Sequence, residues 1–426
     1  MNGRRRTAVL VLVLLNALDG FDIISVSFAA SGIARDLNLQ ADMLGLVLAM
    51  ELVGMALGSI LLGGIADTYG RRKAIAGCLV LTALGMLAVP WTGTVAMLCV
   101  ARVVTGIGIG GMLAGLSAMV AELGNDRWRN MLMSLIFVGY PVGAIAGGIA
   151  SRFILDGGDW RDIFLVGAIA TASFIPIFLM FVPESPAFLA VRGGVNALDK
   201  INQIFRRFGL PPASSISFPE PSRAPSLLAI FSRELRPIVI IMTIAYIAQV
   251  TCYYFFIKWV PKILFDLGFS AQSSADVLVA VMAGCGVGSV AFGLSTKIVP
   301  VSRMTIFLLI GSAAMVWLFG VVEPSYGVML AIGALCGVFL SGAMVGFYVI
   351  LARDVPTALR ASGIGFVTGV GRAASAIGPA MGGWLLGSGA SVATTMMCMA
   401  AGPLVSAAAI LVYLVVVEKR RPNLHI

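Results

Sequence analysis

The chain has little charge and almost no histidine. Charged residues make up 12% of its 426 residues, whereas soluble domains carry about 25%, and the single histidine is His425. The six cysteines are scattered through apolar runs without paired or metal-like spacing, so neither a disulfide framework nor a zinc site is indicated. A membrane hydrolase or metalloenzyme needs a nucleophile with a base, or clustered ligands. We therefore expect no enzyme, no cofactor and no metal site.

Long apolar runs dominate the sequence instead. Hydrophobic residues make up 59% of the chain, and its mean hydropathy is +1.00. A helix crosses a bilayer with about 20 apolar residues. The sequence predicts an all-α membrane protein, multi-pass and in contact with membrane lipid, with twelve transmembrane helices at about 8–30, 43–66, 74–92, 95–121, 131–152, 162–182, 237–258, 275–296, 304–322, 327–351, 361–387 and 391–417.

Basic residues are distributed unevenly among the predicted loops. If the N-terminus is cytoplasmic, the cytoplasmic segments hold 22 of the 29 basic residues and the opposite segments hold 5. Cytoplasmic loops of membrane proteins are enriched in Lys and Arg. Topology therefore explains the net charge of +9 without a nucleic-acid partner. We predict that both termini lie in the cytoplasm, in a bacterial-type inner membrane.

One long polar interruption divides the spans into two sets of six. Residues 183–236 are rich in proline and in basic residues, as expected of a cytoplasmic linker. The flanking segments echo each other, since at a constant offset of 231 residues Gly106 matches Gly337 and Arg129 matches Arg360. Such a repeat predicts a duplicated bundle with a central cavity. The predicted domains are an N-terminal six-helix bundle at 1–182, the linker at 183–236 and a C-terminal six-helix bundle at 237–426.

Charged residues inside the spans indicate transport. Asp19 and Asp22 lie in the middle of the first span, three residues apart, so they share one helix face with Asn16. Arg102 and Arg372 lie within two other spans. Ionisable groups at this depth are costly and usually mark a substrate or ion pathway. We therefore expect a transporter, driven by an ion gradient because no nucleotide-binding loop is present.

The chemistry of these groups suggests a division of roles. A guanidinium stays charged and offers a planar fork that matches a carboxylate, whereas an aspartate in a poorly solvated site can take up a proton near neutral pH. Our hypothesis is that Arg372 binds a substrate carboxylate and that Asp19 or Asp22 carries the coupling proton. Arg102 is expected to pair with Asp22 in the empty carrier. The alternative is a set of fixed ion pairs that only set helix register.

A loop between the second and third predicted spans resembles a family signature. The run Gly64-Ile-Ala-Asp67-Thr-Tyr-Gly70-Arg71-Arg72-Lys73 resembles the loop motif of the major facilitator superfamily, with Thr68 where arginine is usual. The corresponding run in the second half, residues 293–300, lacks the acid and most of the arginines, so a symmetric latch is not expected. We assign a gating role to residues of this loop and to helix-end charges, namely Asp67, Gly70, Arg71, Arg72, Glu122, Glu51, Arg129 and Arg360.

Other motifs narrow the resemblance. The first-span run Asp19-Gly20-Phe21-Asp22 is similar to a motif of the aromatic acid:proton symporters, and the resemblance covers nearly the whole chain. The same family is suggested by Pro183-Glu-Ser-Pro186, Trp259-Val-Pro261, Gly371-Arg372 and the run that begins at Arg102. The resemblance implies the major facilitator fold and a substrate of the hydroxybenzoate or protocatechuate type.

Further side chains are candidates to contact an aromatic substrate. Rings stack on aromatic ligands, and polar groups read their hydroxyls. The candidates are Phe21, Tyr140, Gln249, Tyr253, Tyr254 and Trp384. Lys258 and Lys262 are predicted to extend outward to the interface beside Trp259.

Several functions stay open at the level of sequence. The favoured one is a proton-coupled importer of small organic anions, expected to act as a monomer. A proton-coupled exporter of drugs or metabolites, and an importer of non-aromatic carboxylates such as sugar acids, are compatible with the same charges. A membrane sensor without transport activity is the third class.

Overall fold

The computed structural model describes residues 2–123, 126–192, 196–212, 227–296, 298–356 and 359–418. In these ranges the chain is almost entirely helical. The helices are α1 (Gly3–Asp36), α2 (Ala41–Leu61), α3 (Gly63–Tyr69), α4 (Arg71–Ala88), α5 (Val95–Leu123), α6 (Asp126–Ile154), α7 (Trp160–Phe181), α8 (Pro186–Arg192), α9 (Ala197–Phe208), α10 (Arg236–Asp266), α11 (Ala271–Ser295), α12 (Val301–Val321), α13 (Tyr326–Asp354), α14 (Arg360–Ser375), α15 (Ile377–Gly387) and α16 (Val392–Glu418).

The twelve predicted spans correspond to these helices. Among the described residues, ten helices are individually long and apolar enough to cross a membrane. The helix α6 and the consecutive pair α14 and α15 complete the set of twelve. The eleventh span breaks at Ala376 because Pro379, the third residue of α15, lacks an N–H and crowds the preceding turn. The predicted all-α membrane fold is confirmed.

Several helix boundaries differ from the prediction, and the predicted linker is partly helical. The second span ends at Leu61 rather than near 66, where the pair Gly63 and Gly64 follows, and α3 is a separate short helix. The segment 183–236, predicted as a linker, contains α8 and α9. Phe208 of α9 is buried in a hydrophobic core. The apolar residues of α9 recur at the spacing of one helix face, and this pattern predicts a helix packed on a core.

Close helix packing depends on glycine in both halves of the sequence. A Cβ atom on Gly58 of α2 would lie 2.1 Å from the Ile107 carbonyl of α5, and one on Gly337 of α13 would lie 2.0 Å from the Val281 carbonyl of α11. No side chain fits such a gap, so these helices pack backbone to backbone, as membrane helices with small residues do. The second span packs on the fourth, and the eighth on the tenth, as the predicted repeat requires.

The contacts divide the chain into two compact units. The first unit contains Met1–Ser25, Val53–Gly147 and Arg161–Ser222, and the second contains Val26–Leu52, Gly148–Trp160 and Arg223–Ile426. In the first, residues of α1, α4, α5 and α7 form a core that includes Leu12, Leu79, Leu116 and Phe178. In the second, the core includes Val239, Met242, Phe347 and Ile350. The predicted domain boundaries at 182 and 237 stay a prediction.

Large apolar side chains also cover much of the exposed surface. Ile60 is 74% exposed, Phe153 is 73% exposed and Phe307 is 59% exposed. Soluble proteins rarely expose wide apolar patches, whereas lipid-facing helices must be apolar outside. The exposed surface is therefore that of a multi-pass membrane protein.

Candidate transport site

The two aspartates of α1 are buried in the first unit. Asp19 is 3% exposed and Asp22 is 1% exposed. A Cβ atom on Gly20 would lie 2.1 Å from the Tyr140 carbonyl, so the glycine between the acids lets α6 pack directly on α1. Asp19 lies close enough to the Cys78 thiol of α4 to act on it electrostatically. The predicted sharing of one buried helix face by Asp19, Asp22 and Asn16, which is 3% exposed, is therefore seen in the structure.

Arg102 contacts the same turn of α1. Its guanidinium is fully buried, and Nη2 donates to the backbone carbonyl of Asp22 at 3.4 Å. The guanidinium carbon lies 5.2 Å from the ring centre of Phe164 on α7, within cation–π range. Thr171 Oγ1, also on α7, donates to Asp22 Oδ2 at 3.5 Å. Three helices thus position one guanidinium and the Asp22 carboxylate together.

Arg372 lies among tyrosines in the second unit. A Cβ atom on Gly371 would lie 2.2 Å from the ring of Tyr246, so this ring covers the backbone beside Arg372. The arginine is close enough to the hydroxyls of Tyr246 and Tyr254 to act on both electrostatically. The Tyr246 hydroxyl also lies 3.3 Å from the Tyr348 hydroxyl. Arg372 thus lies next to a backbone position that Tyr246 covers, and its charge acts on two tyrosine hydroxyls.

Two other residues of α10 that were predicted to contact the substrate make contacts with neighbouring side chains and backbone. Gln249 is fully buried and its Nε2 donates to the Leu340 carbonyl of α13 at 3.3 Å. Tyr253 packs edge-on against Tyr254 with ring centres 5.3 Å apart and shares a hydrogen bond with Cys285 of α11.

The prediction for Lys258 is wrong. The side chain does not extend to an interface, because Lys258 is 0% exposed and its Nζ donates to Glu51 Oε2 at 2.8 Å. Both residues belong to the second unit, Glu51 on α2 and Lys258 on α10. A carboxylate within reach removes the need for the lysine to reach water. Glu51 thus has a specific partner that sequence reasoning missed.

The first-unit loop residues form a charged cluster at the ends of α4 and α5. Arg71 of α4 pairs with Glu122 near the end of α5. Glu122 Oε2 also accepts hydrogen bonds from Ser185 Oγ at 2.5 Å and from the Ala187 N–H at 3.3 Å. Two of the predicted gating residues, Arg71 and Glu122, are therefore in direct contact. The start of α8 and the residue before it donate hydrogen bonds to Glu122.

Glu184 is a member of this cluster that sequence reasoning missed. Its Oε1 accepts from the N–H groups of Arg72 at 3.0 Å and Ser185 at 2.9 Å, and the Arg72 guanidinium donates to the Leu179 carbonyl. Gly70 has φ +103°, and a Cβ atom there would lie 2.4 Å from Glu184 Oε2. The acid in the run Pro183-Glu-Ser-Pro186 was the available signal. We call Arg71, Arg72, Glu122, Glu184 and Ser185 the first-unit latch.

A related contact exists in the second unit, although no symmetric latch was expected. Ser302 and Arg353 stand 231 residues after Arg71 and Glu122, and Arg353 Nη2 donates to Ser302 Oγ at 3.3 Å. Arg353 also pairs with Asp354 at 2.7 Å. The repeat therefore keeps the contact between these helix ends, but the arginine has moved to the other helix and its partner across helices is a hydroxyl.

Four of the remaining predicted residues have described side chains, and two do not. Phe21 is 7% exposed and its ring fills the space beside Gly147 and Gly167. Tyr140 is half-buried on α6, Arg360 begins α14 and is half-buried, and Trp384 is 65% exposed on α15. The side chains of Asp67 and Arg129 lie outside the described residues. Roles for these six in binding or gating stay predictions.

Helices long enough to cross a bilayer, with charged groups buried among them, are typical of a membrane transporter. The model of the Major Facilitator Superfamily matches residues 12–321 and residues 239–425. The chain therefore belongs to the Major Facilitator Superfamily, whose members are transporters and not enzymes. The resemblance noted in the sequence is confirmed at this level.

Curated relatives match over most of their length. The 3-(3-hydroxy-phenyl)propionate transporter of Escherichia coli (strain K12) is 27% identical, over 94% of this chain and 91% of the relative. The 4-hydroxybenzoate transporter of Pseudomonas aeruginosa is 26% identical, over 89% of this chain and 86% of the relative. The gentisate transporter of Corynebacterium glutamicum is 24% identical, over 97% and 88%.

Solved structures confirm the fold. The xylose transporter of E. coli, in a partially occluded inward-open conformation, matches with a TM-score of 0.79 and 17% identity, over 97% of this chain and 98% of that one. A D-xylose-proton symporter matches with a TM-score of 0.74 and 19% identity, over 95% and 96%. At this identity the likeness concerns the fold alone.

Proposed function

We propose that this chain is a proton-coupled importer of small aromatic carboxylates, working by alternating access. The observation that carries the proposal is the presence of two kinds of charge within the helices, a buried carboxylate pair on α1 and, on α14, a half-buried arginine whose charge acts on two tyrosine hydroxyls. An anion and a proton that move together need one site of each kind. The fold supplies the pathway, and the residues supply the two sites.

Arg372 is the residue that binds the substrate carboxylate. A guanidinium does not lose its charge at ordinary pH, and its fork matches the two oxygens of a carboxylate. The hydroxyls of Tyr246 and Tyr254 lie close to it, and their rings suit an aromatic body. Relatives named as transporters of a hydroxyphenylpropionate, hydroxybenzoate and gentisate support a hydroxylated aromatic acid as the substrate class.

Asp22, with Asp19, takes up the coupling proton. Burial disfavours the charged form of a carboxyl group, so a proton can bind and leave within the working range of pH. Arg102 contacts the backbone at Asp22 and lies on the Phe164 ring. It therefore fixes the environment of the acid while the charge on the acid changes.

The first-unit latch acts as a gate at the ends of α4 and α5. Arg71 and Glu122 belong to different helices, and Ser185 and Glu184 add hydrogen bonds to both sides. In the proposed topology this end is cytoplasmic, both termini lie in the cytoplasm, and the protein acts as a monomer in a bacterial-type inner membrane.

Uptake into proteoliposomes tests the proposal. Purified protein is reconstituted, and labelled 4-hydroxybenzoate, gentisate and 3-(3-hydroxyphenyl)propionate are offered with an acidic exterior or with equal pH. Passive entry of the weak acid is measured in protein-free vesicles and subtracted. We expect accumulation of at least one acid only with the acidic exterior, and none with a protonophore.

Two results would overturn the proposal. Preferential loss of preloaded acid from the vesicles under the same gradient would indicate an exporter. Accumulation of aliphatic sugar acids, with no aromatic acid taken up, would remove the substrate class.

A further inference from the structure

One face of α10 carries two lysines and a tyrosine in a row. Tyr254, Lys258 and Lys262 are four residues apart, so their side chains lie one above another on the helix. The row spans about 12 Å along the helix axis, given the rise of ~1.5 Å per residue. We call these three residues the α10 row.

Each lysine of the row has a carboxylate partner in the second unit. Lys258 pairs with Glu51 of α2 at 2.8 Å, and both side chains are 0% exposed. Lys262 pairs with Asp266 one turn further along α10, where the side chains are 16% and 54% exposed. The row therefore passes from a partly solvated ion pair to a fully buried one.

A cavity lies beside the more exposed end of the row. Its volume is about 220 Å³, and Lys262, Asp266 and Trp259 form part of its wall. Trp259 directly follows Lys258, and its Nε1 donates to the Pro379 carbonyl of α15 at 3.0 Å. This volume is below the ~300–1,000 Å³ of drug-sized ligand pockets. The cavity suits a small ligand, such as a one-ring acid.

The other end of the row is Tyr254, which lies on the same helix as Tyr246, whose ring covers the backbone beside Arg372. Tyr254 lies close enough to both Arg372 and Glu51 for each to act electrostatically on its hydroxyl. Lys262 and Lys258 are thus successive cations along α10 from the cavity inward, and Tyr254 follows one turn further. In the proposed topology the cavity is on the outer side.

A buried ion pair is hard to separate, because either charge left alone in a dry interior is strongly destabilised. Alternating access requires helices to move apart around the pathway. A carboxylate that arrives from the cavity can replace Glu51 on Lys258, so that the lysine stays paired while α2 is released. Water filling the opening can then solvate Glu51.

We propose that the α10 row is the entry route of the substrate anion, and that Lys258 is a second anion-binding residue whose resident counter-ion, Glu51, is displaced by the substrate. This inference rests on the proposed function, because it assumes that the cargo is a carboxylate. It assigns Lys258 and Lys262 a role that the relatives' names do not indicate.

Binding measurements on purified protein test the displacement. Glu51→Gln removes the competing carboxylate, so we expect 4-hydroxybenzoate to bind about tenfold more tightly than to the unmodified protein. Glu51→Gln with Lys258→Met removes the whole pair without leaving a buried charge, and we expect binding about tenfold weaker than in the unmodified protein. The neutral probe 4-hydroxybenzamide should bind all three proteins alike. Asp276→Asn, which removes the carboxylate of the ion pair with Arg152, is the matched control. It should not change the affinity for either probe.

A charge exchange separates entry from simple structural pairing. Glu51→Lys combined with Lys258→Glu keeps an ion pair but moves the cation from α10 to α2. We expect this double variant to have the melting temperature of the unmodified protein, because the ion pair is kept. We expect it not to take up 4-hydroxybenzoate, because the cation is no longer on α10. Full recovery of uptake, or weaker binding to Glu51→Gln, would overturn the proposal.

A second readout needs no knowledge of the substrate. Leu39 lines the cavity, and Leu39→Cys, in a background with Cys398→Ser, provides a thiol there. We expect an anionic thiosulfonate reagent to react faster, relative to a cationic one, after Glu51→Gln, and slower after Lys258→Gln or Lys262→Gln. If the ratio of the two reaction rates were the same in all three variants as in the Leu39→Cys protein, the anion route would be contradicted. Changed ratios without binding of any aromatic acid would leave the route standing and remove the substrate class.

Discussion

The two units of this chain carry different sets of charged groups within their helices. In the first, two carboxylates, Asp19 and Asp22, share a helix face that Arg102 contacts. In the second, Arg372 lies among tyrosine hydroxyls, and Lys258 pairs with Glu51. The first unit thus holds two buried acids beside one arginine, whereas the second holds a buried lysine–glutamate pair and an arginine near tyrosines.

Under the proposed function, this difference is what would let one helical fold couple two ions. A carboxyl group changes charge when it binds a proton, whereas a guanidinium binds an anion without changing its own charge. If each unit keeps its own chemistry, substitutions in the two units will have different effects. The following variants test that separation.

The largest effect is expected at Arg372. Arg372→Gln removes the fixed charge, and we expect the affinity for 4-hydroxybenzoate to fall about a hundredfold, which corresponds to ~2.7 kcal/mol. Arg372→Lys should recover only part of this, because an ammonium has no planar fork. Isothermal titration on purified protein measures the affinity. Arg236→Gln, at the exposed start of α10, is the control, and an equal loss there would remove the specific role of Arg372.

Substitution of the first-unit acid should affect coupling and leave binding intact. With Asp22→Asn we expect accumulation driven by a pH difference to fall to equilibrium, a loss of about tenfold per pH unit for one coupled proton. Exchange of labelled for unlabelled substrate should continue, because Arg372 is unchanged. Flux in proteoliposomes measures both. Asp42→Asn, on the exposed start of α2, should accumulate normally, and gradient-driven accumulation by Asp22→Asn would contradict the assignment.

The contact between Arg71 and Glu122 is an ion pair, whereas the contact between Ser302 and Arg353 involves a neutral hydroxyl. Removing the first should therefore lower the uptake rate more than removing the second. Glu122→Gln removes the ion pair with Arg71, and we expect the maximal uptake rate to fall about tenfold, since charge-assisted hydrogen bonds contribute ~1.5–3 kcal/mol. Ser302→Ala removes only a hydroxyl that accepts from Arg353, and we expect less than about a threefold change. Initial uptake rates at equal protein amounts measure both. Equal effects would show that the repeat keeps one equivalent gate at each position.

The smallest effect is expected at the Tyr254 hydroxyl. Tyr254→Phe keeps the ring and removes one hydrogen-bonding group, so we expect a loss of about three- to tenfold in affinity, corresponding to ~0.5–1.5 kcal/mol. Tyr253→Phe is the matched control, because Tyr253 shares its hydrogen bond with Cys285. A larger loss at Tyr253 than at Tyr254 would show that the wrong tyrosine was assigned to the site.

The sequence predicted the features that depend on a single helix. The spans follow from the length of apolar runs, and the burial of Asp19 and Asp22 follows from their place within one run. The break at Ala376 could have been expected from Pro379. These features need no knowledge of which helices are neighbours.

Features that depend on two distant segments were missed. Glu51 and Lys258 are 207 residues apart, and no periodicity links them, so Lys258 was assigned to the interface. Glu184 and Ser185 were recognised only as part of a motif, because their partners Arg72 and Glu122 lie on other helices. Trp384 was a candidate for substrate contact because of its ring alone; it is 65% exposed, and its role stays a prediction.

Direct detection of proton movement tests the central claim that the acids of one unit and the arginine of the other carry two coupled ions. Proteoliposomes containing a pH-sensitive dye receive 4-hydroxybenzoate at equal pH on both sides, and protein-free vesicles correct for passive entry of the acid. We predict acidification of the interior by the unmodified protein and none by the variant with both Asp19→Asn and Asp22→Asn. Carrier-dependent uptake of the anion without acidification, or equal acidification by that variant, would contradict the account.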